Sequence, residues 1–120
     1  MKEALLLKGK HEIIILPEFS DKANKFYHFL ENLFKNKGFK IRVIESIPKY
    51  SVSKKISGET KYLVGHSRGA NKILKEFNPK DFPNIKGVVL FDSLSYLKDN
   101  WNKLKLPKLF FGSEWNQDYS

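Results

Sequence analysis

Five short apolar runs alternate along this chain with longer segments whose apolar residues recur at helical spacing. That alternation limits the fold more than any other feature. Ile13, Ile14, Ile15 and Leu16 form a β-branched run closed by Pro17, which predicts a strand over residues 12–16. Ala23, Phe26, Tyr27, Leu30, Leu33 and Phe34 then keep one helical face, with Ser20 or Asp21 placed to cap it and Gly38 to end it. A second strand is predicted over residues 39–44. Residues 48–60 read as a loop with room for one helical turn.

The third strand is predicted over residues 61–64. Ala70, Ile73, Leu74 and Phe77 follow as a helix face that Asn78-Pro79 stops. Residues 88–91 give a fourth strand. Leu94, Leu97, Trp101 and Leu104 are spaced as one more helix face, and residues 108–111 make a fifth strand ended by Gly112. Residues 1–11 are expected to add a short strand at the sheet edge.

Strands that alternate with helices and read as buried on both faces predict an α/β fold. The expected architecture is a three-layer sandwich around a mostly parallel, doubly wound sheet, in one domain over residues 1–120. Right-handed crossovers then bring the carboxyl ends of the strands to one edge, where such sheets bind their ligands. The segments around Glu18 and Phe19, Ser67, Asp92, and Glu114 to Asp118 all follow predicted strands. All are expected at that edge.

Composition removes several classes. There is no cysteine, so neither a disulfide framework nor a thiolate metal site is available. No metal-ligand spacing and no phosphate-cradling glycine motif occurs, so no metal or cofactor is expected. Ser51-Val52-Ser53-Lys54 fits the letters of S-x-x-K but falls in a predicted loop without the motifs that accompany it. No apolar stretch approaches the roughly 20 residues that cross a bilayer, and the run Ala4 to Leu7 is too short for a signal peptide. A cytoplasmic protein without membrane association is the expectation.

Net charge is +9, and eight basic residues between Lys35 and Lys61 face only Glu45 and Glu59. Only two of the 22 basic residues are arginine and no nucleic-acid motif appears, so the patch reads first as a solvated lysine surface. A basic module contacting single-stranded nucleic acid through Tyr50 and exposed aromatics is the lesser alternative.

One motif carries chemistry. Gly65-His66-Ser67-Arg68-Gly69 is a G-x-S-x-G sequence between the run Tyr62-Leu63-Val64 and a helical segment. Glycines on both sides of a serine permit a sharp strand-to-helix turn that lifts the hydroxyl clear of the sheet. With Ile13 to Pro17, Gly87 to Ser93 and Leu106 to Ser113, this pattern resembles the α/β-hydrolase superfamily, in particular its small lidless serine hydrolases.

The resemblance implies Ser67 as nucleophile toward a small ester or amide. It implies the Arg68 N–H as one oxyanion donor and a second donor from the loop near Glu18 or Phe19. It places the acid at Asp118, with Asp92 and Glu114 as alternatives. The loop after the first strand departs from the family's pattern, since Pro17 has no N–H and Glu18 brings a carboxylate.

The family's histidine follows one strand more than this pattern offers, so relative to the family the chain is C-terminally incomplete. Of the three histidines, His11 is expected at the opposite edge, His28 partly buried in the first helix, and His66 supporting the turn. A serine hydrolase, inactive if no base reaches Ser67, is the first expectation. A non-catalytic scaffold that binds a protein partner or another copy of itself is the second.

Overall fold

The computed structural model describes residues 11–18, 24–44, 50–93 and 97–112, without the side chains of Asn24 and Phe26. The elements in order are β1 (Glu12–Leu16), α1 (Asn24–Lys35), β2 (Lys40–Val43), the single turn α2 (Val52–Lys55), β3 (Thr60–His66), α3 (Arg68–Glu76), β4 (Gly87–Phe91), α4 (Lys98–Lys103) and β5 (Lys108–Phe111). A 3₁₀ turn, Pro79–Asp81, follows α3, and the Asn78 side chain caps it by accepting from the Lys80 N–H.

The five strands form one parallel sheet in the order β2-β1-β3-β4-β5. The chain winds one way from β1 to β2 and the other way from β3 onward. This is the doubly wound topology, and its switch point lies between β1 and β3. The register sets Leu16 beside Gly65, so His66 extends one residue beyond the end of β1. Ligands of doubly wound sheets bind at the carboxyl edge of the switch point, and His66 and Ser67 stand at that edge.

Strand alternation divides the core in two. Ile14, Leu16, Leu63, Val88 and Leu90 face one side and pack with Val52, Ala70, Ile73, Leu74, Leu97 and Leu104 from α2, α3, α4 and the adjoining chain. Ile13, Ile15 and Val64 face the other side and pack beneath Tyr27 and Leu30 of α1. Each fully buried aliphatic side chain contributes about 1.5–3 kcal/mol. These two clusters are what hold the sandwich together.

The amino edge is tied by a polar knot. Glu12 is buried, and its carboxylate accepts from Arg42 Nε at 3.1 Å, Arg42 Nη2 at 3.0 Å, Thr60 Oγ1 at 2.8 Å and Ser57 Oγ at 3.3 Å. Arg42 also donates to the Lys55 carbonyl. The Asn84 side-chain amide donates to the carbonyls of Ser57 and Thr60. Burial alone would raise the Glu12 carboxyl, but the bonds from Arg42, Thr60 and Ser57 outweigh it and hold the group below its ordinary value.

Several expectations need correction. β5 is not buried on both faces, because Leu109 and Phe111 are 58% and 51% exposed. It is the last strand of the sheet, and no described helix lies over those two side chains. His28 is not partly buried; it projects into solvent, 77% exposed, beside Glu31. Tyr50 is no exposed stacking aromatic, since its ring packs on the core with the Lys72 ammonium 4.5 Å from its centre. Burial and the nearby Glu76 carboxylate push its hydroxyl up to about 12.

β3 is longer than predicted at both ends, and α4 ends at Lys103, with Leu104 as its C-cap; Leu94 lies outside the described residues. The strand expected within residues 1–11 and the caps at Ser20 and Asp21 lie outside the described residues.

Candidate active site

Gly65 and Gly69 are demanded by packing. A Cβ on Gly65 would lie 2.7 Å from the Ala70 Cα and 2.8 Å from Ile73 Cδ1, where α3 turns back over the end of β3. A Cβ on Gly69 would overlap the Leu16 carbonyl and stand 2.9 Å from the Leu16 Cβ. The first turn of α3 therefore rests directly on the end of β1.

Between these glycines Ser67 takes φ 53° and ψ −108°. It is one of two non-glycine residues with positive φ among the described residues, the other being Asp92. A serine held there costs on the order of 1–3 kcal/mol. The surrounding contacts enforce it. The Ser67 N–H donates to the Phe91 carbonyl at 2.8 Å, and its carbonyl accepts from the Asn71 N–H at 3.0 Å.

Serine at the start of a helix ordinarily caps it by accepting a backbone N–H. Ser67 does not: its hydroxyl makes no capping bond. It is half-buried at the N-terminus of α3, where the helix dipole favours negative charge.

Next to it the topology gathers four polar side chains from four separate stretches of chain. The Tyr27 hydroxyl, from α1, lies 3.1 Å from His66 Nδ1 and accepts the Glu18 N–H at 2.5 Å. Glu18 Oε2 stands 3.8 Å from His66 Nδ1, and Asp92 Oδ2 stands 3.7 Å from His66 Nε2. The imidazole is thus flanked by carboxylates from the ends of β1 and β4. Burial raises the Tyr27 hydroxyl above its ordinary value, partly offset by the bond from the Glu18 N–H.

Of the residues singled out from sequence, Ser67, Arg68, Glu18 and Asp92 meet at this edge. Phe19, Glu114 and Asp118 lie outside the described residues. The Glu18 N–H, a candidate oxyanion donor, is spent on Tyr27. His11 precedes β1 at the opposite edge. Sequence reasoning missed Tyr27, which looks like any apolar-face residue of an amphipathic helix; only the crossover brings its hydroxyl to the strand ends.

Tyr27→Phe keeps the ring and removes the bridge. It should cost about 1–2 kcal/mol, since the Glu18 N–H loses its acceptor. It should also move the ¹⁵N resonances of the His66 ring. Thermal melts and a histidine-selective NMR spectrum check both.

No family model matches this chain, and neither curated proteins nor solved structures give a match. Among the described residues no helix is long and apolar enough to cross a membrane, and no group of three or more histidine, aspartate or glutamate side chains is arranged to hold a metal ion.

Proposed function

We propose that the chain is a serine-hydrolase-like protein of α/β-hydrolase type, with Ser67 the nucleophile toward a small carboxylic ester or amide. The observation that carries this is the Ser67 backbone, a positive-φ serine wedged between two sterically required glycines, its hydroxyl not spent as a helix cap. Hydroxyl attack on a carbonyl creates an oxyanion, and the Arg68 N–H at the helix N-terminus is the donor this turn offers. The proton from Oγ needs a base. His66 is the one histidine of the three at this edge, and Asp92 is the carboxylate against its Nε2. Asp92 is the acid this arrangement favours.

Ser67 and His66 are not hydrogen-bonded to each other, and catalytic bonds of this kind tighten on substrate binding. The expected activity is accordingly slow. Incubating the purified chain with a fluorophosphonate probe should label it covalently, with fluoride leaving and Oγ bound to phosphorus. Labelling should vanish in Ser67→Ala and slow at least about tenfold in His66→Gln. A folded wild-type chain that takes no label sinks the proposal.

The second reading is a non-catalytic scaffold that keeps the turn without the chemistry. Two observations favour it: the Ser67 hydroxyl has no base bonded to it, and the Glu18 N–H is already engaged.

A further inference from the structure

Among the described residues the two faces of the sheet are covered unequally. α2, α3 and α4 pack on one face. α1 is the one described helix on the other, and its buried residues sit over β1 and β3. A parallel sheet ordinarily has both faces covered by helices. Here Val89 and Phe91 of β4 are half-buried on the α1 side, and Leu109 and Phe111 of β5, their register partners, are mostly exposed. Phe91 and Phe111 stack with ring centres 5.1 Å apart, so these side chains share one face.

The helix bordering this shelf is apolar on the matching flank. Phe29 and Leu33 of α1 are 63% and 44% exposed. At 3.6 residues per turn they lie roughly a quarter to a third of a turn from the stripe Tyr27, Leu30 and Phe34. The right-handed crossover from β1 through α1 to β2 turns that flank toward β3 and β4. All four exposed large apolar residues of the described chain thus border one shelf, Phe29 and Leu33 as its wall and Leu109 and Phe111 on its floor.

Among the described residues the edge is also unguarded. Lys108 is the one charged residue of β5, and a lysine on an edge strand usually deters pairing. Here its ammonium folds away, donating to the carbonyls of Trp101 and Leu104 and lying 4.7 Å from the centre of the Trp101 ring.

We propose that this shelf is a self-association surface, covered by the same shelf of a second copy about a twofold axis. The exposed apolar area of the four side chains is about 400 Å² per copy, the size of the largest apolar patch on a typical monomer, which is often functional. Interfaces are roughly three-fifths apolar, so this corresponds to about 650 Å² per copy. A standard stable interface buries about 600 to about 1,000 Å² per partner, so the shelf reaches the lower end of that range. The patch is made of wall and floor elements that the partner presents equally, as a twofold contact requires. Each copy carries +9, so salt should strengthen the dimer by screening the repulsion.

Sedimentation velocity on the full chain from about 1 to about 200 µM tests this. The expected result is a monomer–dimer equilibrium that shifts toward dimer in higher salt. Leu33→Lys on the wall and Leu109→Lys on the floor should each weaken it at least about tenfold, with unchanged circular dichroism. Both positions are solvent-facing, so the variants keep the fold. A wild-type chain monomeric throughout this range overturns the proposal and leaves the shelf to another protein. A dimer lost in Leu109→Lys and kept in Leu33→Lys overturns it too, since contact would then run through the β5 edge alone.

Discussion

Gly69→Ala should lower stability by more than about 3 kcal/mol, although it adds a single methyl group. In most helices that change is favourable, since alanine is the better helix former. Here the methyl would enter the space of the Leu16 carbonyl, and both partners are backbone. Relief requires lifting the first turn of α3 off β1, which pulls Ala70 and Ile73 out of the core. The midpoint of thermal unfolding should fall by about 12 °C or more. Gly58→Ala is the control: its added Cβ meets nothing within 4 Å and its φ is not positive, so it should be neutral or slightly stabilising. Equal melts for the two variants would mean that α3 does not rest on β1 as described.

That result would bear on chemistry as well as folding. The contact excluding a side chain at residue 69 also fixes where Ser67 sits, because the helix leaves no room for a gentler turn. Stability and presentation of the hydroxyl are one constraint. A variant that relaxes the turn should lose probe labelling along with stability.

This coupling also explains which parts of the molecule were legible in the sequence. The runs Ile13 to Leu16 and Val88 to Phe91 are β-branched or bulky and continuous, so period and propensity agree and the strands fall where expected. The turn at Ser67 was legible because each glycine there has a steric reason. Burial of β5 was misjudged because Lys108 to Phe111 carries the same apolar pattern as an inner strand. Sequence pattern does not say which strand is last in the sheet. The cluster around His66 was hidden for another reason: Glu18, Tyr27, His66 and Asp92 come from separate stretches of chain, and only the topology joins them.

At the opposite edge, Glu12→Gln should cost about 3 kcal/mol at neutral pH. Shape is nearly conserved, so the loss isolates the charge. The Gln amide oxygen can still accept from Thr60, but its NH₂ would face the Arg42 guanidinium, donor against donor. Arg42 is about one-third exposed. Water therefore relieves part of its lost pairing, which sets the cost at the lower end for a buried pair. The sign with pH follows from the lowered carboxyl. Unfolded, Glu12 titrates near 4.5; folded, it titrates lower. Its contribution is therefore complete above about pH 5.5 and is lost as the pH falls below 4.5 toward the folded value. Glu76 is lowered as well, by Lys72 and the Val52 N–H against the opposing effect of burial, but its side chain is 36% exposed and its share is smaller. Urea unfolding of wild type and Glu12→Gln should thus differ most near neutral pH, and the curves should converge in acid. A gap that stays constant down to about pH 3 would mean that the knot acts through packing alone and that the charge on Glu12 does not stabilise the fold.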